Sequence, residues 1–360
     1  MMNANSSATA PGGKFGGKQL IIELQDKAAG VLDPLIPEGS RVAVLDFPNN
    51  SNVGDSLIWL GEVAYLERRR MTPSYVCDLH GFDADALRAT LDGKTVILMH
   101  GGGNFGTLWP DEQNFRLRVL REFPGVPVVQ FPQSIFFEDS ALLEQTRQAI
   151  KAHGNYTLLV RDQVSHDFAA ANFDCRVVLC PDMAFFIGSV AAKTHTPFDR
   201  FVLSRTDHET AGGWFADAPE LRGGVTVHHS DWLEQGAMEK ILNRVQYHSM
   251  RIRKAVDPHN VWLYGLFNRL ARARLARGRD LLDTGRVVIA DRLHVHILSI
   301  LMEKPHVLID NRYRKLGTFH EAWTKAYRGV NFVENLQGAY EAAAGYDLQE
   351  AATVSELVPQ

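Results

Sequence analysis

Cysteine is scarce in this chain: Cys77, Cys175 and Cys180 are the three among 360 residues. None belongs to a C-x-x-C pair or stands at metal-ligand spacing from a histidine, which excludes zinc modules and disulfide-stapled scaffolds and suits a reducing compartment. No uninterrupted apolar run approaches the ~18 residues of a membrane-spanning helix. The opening stretch, MMNANSSATAPGGKFGGK, lacks the basic and apolar regions of a secretory signal. Residues 1–18 are therefore expected to form a disordered tail and the protein to be cytoplasmic. A dominant charge is lacking too, since the formal net charge is −4, so nothing favours nucleic acid as a partner. No repeat of solenoid length occurs.

What is present is alternation. Short apolar runs at 41–47, 95–100, 126–131, 158–160 and 177–179 are separated by helical patterns at 55–70, 114–123 and 141–153. This rhythm predicts parallel sheets with helices on their faces. It lapses at 186–200 and restarts at 201–204, 225–228, 287–290 and 306–309. The predicted domains are 19–190 and 191–345, with a basic helical insert at about 230–280 in the second and a C-terminal tail at 346–360. Ligands of open parallel sheets bind beyond the carboxyl ends of the strands, so the residues after each run are the place to look for chemistry.

Three such segments are unusual. Pro48-Asn49-Asn50-Ser51-Asn52-Val53-Gly54-Asp55 follows the first run and precedes a helix; Asp55 or Ser56 can cap that helix, or the segment is a plain turn. His100-Gly101-Gly102-Gly103-Asn104-Phe105-Gly106 contains G-x-G-x-x-G, but Pro110 and polar residues stand where a dinucleotide fingerprint needs an apolar helix, and no Lys-Ser/Thr makes it a P-loop. A shelf of backbone under a substrate remains, with a tight turn as the alternative. In the third segment, Asp291-Arg292-Leu293-His294, Asp291 as N-cap would put Arg292 and His294 in a first helical turn, where the macrodipole disfavours cations unless an anion binds. Alternatively Arg292 pairs with a carboxylate and His294 is a core histidine. His294 and His296 cannot share a metal from one helix, because residues two apart point away from each other, and no metal site is predicted.

Arg205 and the Asn311-Arg312-Tyr313-Arg314-Lys315 segment also follow strand-like runs, so three strand ends carry cations suited to a phosphate plus carboxylate. Residues 241–279 hold nine Arg or Lys against one acid, Asp257. A helix is predicted at 258–277, either resting on an anionic membrane surface or packing its apolar face on the core.

Taken together, Asn52-Val53-Gly54-Asp55, His100 to Asn104, Gln130-Phe131-Pro132-Gln133-Ser134, Arg161-Asp162 with Ser165, Pro181-Asp182, Ser204-Arg205-Thr206-Asp207, Asp291 to His294 and Lys304-Pro305 with Tyr313 and Lys315 resemble, in order and spacing, the polysaccharide pyruvyltransferase family. The basic insert has no counterpart in that pattern. The resemblance implies two Rossmann-like parallel-sheet domains facing each other, as in glycosyltransferase-B folds. It also implies transfer of pyruvate from phosphoenolpyruvate to two hydroxyls of a sugar, possessing no cofactor requirement. Arg205, Arg292, Leu293, His294 and Lys315 are the implied donor-binding residues, with His294, Arg292 and Arg205 catalytic. Asn52, Asp55, Gly102, Gly103 and Asn104 are candidates for the acceptor, a sugar that a lipid could carry. The competing readings are a nucleotide-sugar glycosyltransferase and a non-catalytic carbohydrate or anion sensor.

Overall fold

The computed structural model describes residues 15–192, 196–203, 225–233, 235–256, 261–310 and 315–357. Two compact units result. The N-terminal unit comprises Glu23–Ile187 and Leu233–Arg277; the C-terminal unit comprises Met1–Ile22, Gly188–Trp232 and Gly278–Gln360.

Seven strands build the N-terminal sheet: β1 (Arg41–Phe47), β2 (Tyr75–Asp78), β3 (Thr95–Met99), β4 (Gly102–Gly106), β5 (Val128–Phe136), β6 (Tyr156–Val160) and β7 (Arg176–Leu179). All pair in parallel, in the order β2-β1-β3-β5-β6-β7, with β4 also on β5. The five strands of the C-terminal sheet are β8 (Phe198–Leu203), β9 (Val227–Ser230), β10 (Gly285–Ala290), β11 (His306–Ile309) and β12 (Val330–Val333), again parallel, in the order β12-β11-β10-β8-β9. Both sheets are wound alike. The second strand lies outside the first, and the chain then crosses back to continue on the other side. The winding reverses between β1 and β3 in one sheet and between β8 and β10 in the other, and such switch points leave a crevice at the strand ends.

Helices α1 (Gly17–Leu32), α2 (Val53–Arg68), α3 (Ala84–Thr90), α4 (Pro110–Glu122), α5 (Ser140–His153), α6 (Gln163–Asn172), α7 (Ala237–Val256) and α8 (Val261–Leu282) precede β10; α9 (Leu293–Leu301), α10 (Lys315–Phe319) and α11 (Leu336–Leu357) follow it. β1 shows why its sequence is apolar at successive positions. Val42 and Val44 join a core cluster with α2 and α8, while Ala43 and Leu45 join a second cluster with α3, α4 and α5. A strand covered on both faces has no solvent side to mark with polar residues.

The basic insert belongs to the N-terminal unit rather than with the C-terminal strands. Leu263, Phe267 and Leu270 of α8 are buried in the cluster with Val42 and Trp59; Phe267 stacks on Phe47 at 4.1 Å, and Trp59 donates to Asn268 Oδ1 at 2.8 Å. Each such side chain contributes about 1.5–3 kcal/mol by leaving water, so this apolar face serves the core and not a lipid surface. α8 also runs past the predicted end at 277 to Leu282, and the predicted start at 258 lies outside the described residues. Among the described residues no helix is long and apolar enough to cross a membrane.

Chain ends differ from expectation as well. Residues 1–14 lie outside the described set, but Phe15 bridges to Tyr327 and α1 starts at Gly17. At the other end α11 runs into the predicted tail as far as Leu357, and its Ala339, Ala342 and Ala343 pack against β10 and β11 residues. Strands β2, β4 and β12 were not anticipated; each is only four or five residues long, too short for alternation to show.

Candidate functional site

The switch point between β1 and β3 gathers the acceptor-side candidates. Asn52, not Asp55 or Ser56, is the N-cap of α2: its Oδ1 accepts from Gly54 N–H at 3.0 Å. Asp55 follows in the first turn, where a carboxylate faces the positive end of the helix. One of its oxygens is held by Asn50 Nδ2 at 3.0 Å and Asn52 Nδ2 at 3.2 Å. The predicted glycine shelf is a short strand on β5 in which Gly102 is paired with Gln133. Gly102 has φ 134 and a Cβ on Gly101 would lie 2.9 Å from Pro132 O, so the segment excludes side chains on both conformational and steric grounds.

Asn104 is oriented by its neighbours. Its Oδ1 accepts from Arg116 Nη2 at 3.0 Å and from Gln133 Nε2 at 2.9 Å. Two donors on the oxygen fix the amide so that its NH₂ is the group turned elsewhere, ready to donate to a hydroxyl. Arg116 is fully buried with amide partners, Gln130 and Gln113, and lies 4.5 Å from the centre of the Phe105 ring. Burial pulls its pKa down.

Two arginines of the insert brace the loop before α2. Arg274 donates to Pro48 O at 2.9 Å, and Arg277 to Ser51 O at 2.7 Å and Glu239 Oε1 at 2.6 Å. Burial brings Arg274 down to about 10. In the sequence these residues belong to the basic helix expected either on an anionic membrane surface or with its apolar face on the core. Only the fold shows that they anchor the carbonyls next to Asn52 and Asp55. Other motif residues have structural partners: Arg161 pairs with Asp182 at 2.7 Å and donates to Ser134 at 3.0 Å, and Asp162 accepts from Ser134 and Ser165. They tie the ends of β5, β6 and β7 together.

In the C-terminal unit β10 is the central strand, and Arg292 follows it as the N-cap of α9, without a side-chain capping bond; Asp291 is not the cap. Arg292 Nη2 contacts both oxygens of Asp231, at 3.1 and 3.0 Å. An anion bound here would therefore share this guanidinium with Asp231. Leu293 and His294 begin α9, whose first amides have no carbonyl four residues back. Leu293 is buried and His294 half-buried. β8, across the switch point, ends at Leu203; Arg205 lies outside the described residues, as do residues 311–314, while Lys315 opens α10.

His296 is a core histidine. Its Nδ1 lies 2.7 Å from His306 Nε2 and its Nε2 2.7 Å from Thr324 Oγ1, which is 2.9 Å from His320 Nδ1. His306 Nδ1 faces Lys304 O at 2.9 Å and must donate. If both rings are neutral, His306 Nε2 then accepts from His296 Nδ1, and His296 Nε2 from Thr324. Burial keeps them neutral: it lowers His306 to about 4 and His296 well below its usual value. Among the described residues no group of three or more His, Cys, Asp or Glu is arranged to hold a metal ion.

A pH effect follows, with its sign set by these depressed values. The stabilisation is complete above the unfolded value of about 6.5 and declines as the pH falls toward 4, because only the unfolded chain readily takes up the protons. Each imidazole should cost about 1.4 kcal/mol per pH unit in that window. Hydrogen exchange of α9 amides, corrected for intrinsic rates, should show protection falling between pH 6.5 and 5; unchanged protection would rule out the neutral chain of histidines.

The polysaccharide pyruvyl transferase profile matches residues 52–313, a span reaching from the Asn52 cap to the segment after β11. Pyruvyl transferase 1 of Schizosaccharomyces pombe is 32% identical over 294 residues, covering 79% of this chain and 69% of that protein. The putative pyruvyl transferase EpsO of Bacillus subtilis is 27% identical over 327 residues, 88% of this chain and 96% of its own length. A crystal structure of an uncharacterized Klebsiella pneumoniae protein superposes with a TM-score of 0.51 at 17% identity, over 86% of this chain and 98% of that one, which speaks to the fold alone. With two like-wound parallel sheets, the family motifs at their strand ends and a match over most of its length, the chain belongs to the polysaccharide pyruvyl transferase family.

Proposed function

We propose that this protein transfers pyruvate from phosphoenolpyruvate onto two hydroxyls of one sugar residue, giving a cyclic ketal and inorganic phosphate during surface-polysaccharide synthesis in the cytoplasm. The observation that carries the donor assignment is the position of Arg292 and His294 at the N-terminus of α9, directly after the central strand and at a switch point. A compact anion with phosphate and carboxylate suits such a place.

In this reading Arg292 and, from the family resemblance, Arg205 and Lys315 hold the donor, and first-turn amides near Leu293 add hydrogen bonds. His294, as the imidazolium, protonates the methylene carbon, leaving a cationic carbon beside the carboxylate. One sugar hydroxyl adds to that carbon, phosphate departs with the C–O electron pair, and the second hydroxyl closes the ring. Of the two hydroxyl protons lost, one restores His294 and the other leaves with phosphate. The arginines offset charge as the phosphate separates. Asn104, Asp55 and Asn52, with the Gly102 and Gly103 backbone, orient the acceptor, for which a lipid-linked oligosaccharide is our choice. No cofactor enters the scheme.

Thermal denaturation tests the donor. Phosphoenolpyruvate at about 100 times its Kd should stabilise the protein by about 2.7 kcal/mol, whereas uridine diphosphate and NAD should not. Arg292→Ala should abolish the shift. Because that change also strips Asp231 of its cation, Asp231→Asn is the control: it breaks the pair, keeps the guanidinium and should retain the shift. Stabilisation by uridine diphosphate instead would replace this reading with a nucleotide-sugar glycosyltransferase.

A further inference from the structure

Trp109 is 46% exposed, although an indole is one of the largest apolar surfaces a side chain can carry, and Trp59 and Trp232 are buried. It is the N-cap of α4, directly before Pro110, yet its side chain makes no capping bond. Asn, Asp, Ser or Thr would serve that position better, so helix capping does not account for the indole. Its place in the fold does.

One polar frame ties the turn that carries Trp109 to the acceptor residues. Gln113 N–H donates to Trp109 O at 3.1 Å, and Gln113 Oε1 accepts from Gly106 N–H at 3.1 Å, which closes the turn between the end of β4 and α4. Thr107 N–H donates to Phe136 O at 2.9 Å and fixes the turn to β5. Arg116, within the same helix, donates from Nη1 to that Gln113 oxygen and from Nη2 to Asn104 Oδ1 at 3.0 Å. A single guanidinium therefore holds both the turn and the amide offered to the acceptor.

The first turn of α2 lies near the first turn of α4. Burial raises the Glu112 pKa, and Asp55, with Asp111, raises it further, an influence that needs the carboxylates to be close. Asn104, Asp55 and Glu112 are all half-buried. The carboxyl edge of the sheet thus sets an exposed flat ring beside an amide and carboxylates.

A pyranose asks for both kinds of group. Its hydroxyls, spread round the rim, need hydrogen-bond partners when they leave water, while the axial C–H groups of one face form an apolar surface that gains by covering an aromatic ring. We propose that Trp109 is the stacking platform for a pyranose ring of the acceptor and selects β-linked hexopyranosides, in which H1, H3 and H5 make one unobstructed C–H face. An α-linked substituent stands axial on that face and lifts it from the indole. The inference rests on the pyruvyl-transfer reading for the identity of the ligand as a sugar.

Saturation-transfer difference spectra of methyl β-glucopyranoside and methyl β-galactopyranoside with the full-length protein test it. Transfer should be strongest at H1, H3 and H5, and weaker overall to methyl α-glucopyranoside. Trp109→Ala should weaken binding of the β-glycosides roughly 10-fold, and Trp109→Phe, which keeps a flat ring, should recover most of the loss. Both variants should retain the wild-type melting temperature and its rise with phosphoenolpyruvate, because the indole is exposed and the donor is held elsewhere. Trp262→Ala is the control: it removes an indole 55% exposed, about 18 Å along α8 from Arg274, and should leave transfer unchanged. No transfer to either β-glycoside in the wild type, or undiminished transfer in Trp109→Ala, overturns the platform; equal transfer to the α anomer overturns the choice of face. A wild type that binds the β-glycosides through Trp109 but is indifferent to phosphoenolpyruvate would sink the pyruvyl-transfer reading and leave the platform standing. Stabilisation by phosphoenolpyruvate without glycoside binding would do the reverse.

Discussion

His294→Ala should lower phosphate release from phosphoenolpyruvate by about 10²–10⁴-fold, the range that one general acid supplies, while donor-induced thermal stabilisation survives. The residue is half-buried in the first turn of α9. Alanine is a good helix former there, so removal of the ring should leave the helix intact. His296, two residues on, fills the core and would be a misleading comparison: its loss breaks bonds to His306 and Thr324. The informative measurement is the rate with donor saturating, together with circular dichroism. A variant that turns over at the wild-type rate would remove the acid role from His294 and send the search to another proton donor.

Gly61→Ala is expected to destabilise the N-terminal unit by about 3 kcal/mol or more, the upper range for overpacking. A Cβ at position 61 would lie 1.9 Å from Met183 O and 2.4 Å from Met183 C, where α2 meets the short turn Met183–Ile187. Backbone cannot rotate aside as a side chain can. Alanine would gain about 1 kcal/mol in helix propensity, so the clash must exceed that gain for the sign to hold, and a contact of this closeness does. For a unit of this size the loss corresponds to roughly 10 °C in melting temperature. Gly30→Ala on α1 is the matched control, since a Cβ there meets nothing within 4 Å; it should be neutral or slightly stabilising. Equal melting temperatures for the two variants would mean that α2 and the 183–187 turn do not meet as described.

How much of this could be read beforehand depended on the range of the signal. The apolar run at 41–47 and the helical pattern after it are local, and β1 (Arg41–Phe47) and α2 (Val53–Arg68) appear where the pattern put them. The basic helix was legible as a helix but not as a core element. A stripe containing Leu263, Phe267 and Leu270 looks the same whether a sheet or a lipid surface covers it. Glu62 left a trace in the sequence, a lone charge within an apolar helix stretch, and such a charge is expected to have a buried partner. The identity of that partner, His100, could not be read, because it comes from a strand 38 residues away.

By itself, then, the sequence determined the alternation of strands and helices and the family to which the motifs belong, because each depends on residue order or on periodicity over a few turns. Tertiary structure alone decided that α8 packs beneath β1, that Arg274 and Arg277 hold the loop before α2, that Arg292 is paired with Asp231, and that buried Glu62 faces His100. These contacts join residues far apart in the chain, and they arise only when parallel strands are laid side by side in one register, which fixes the strand ends as neighbours.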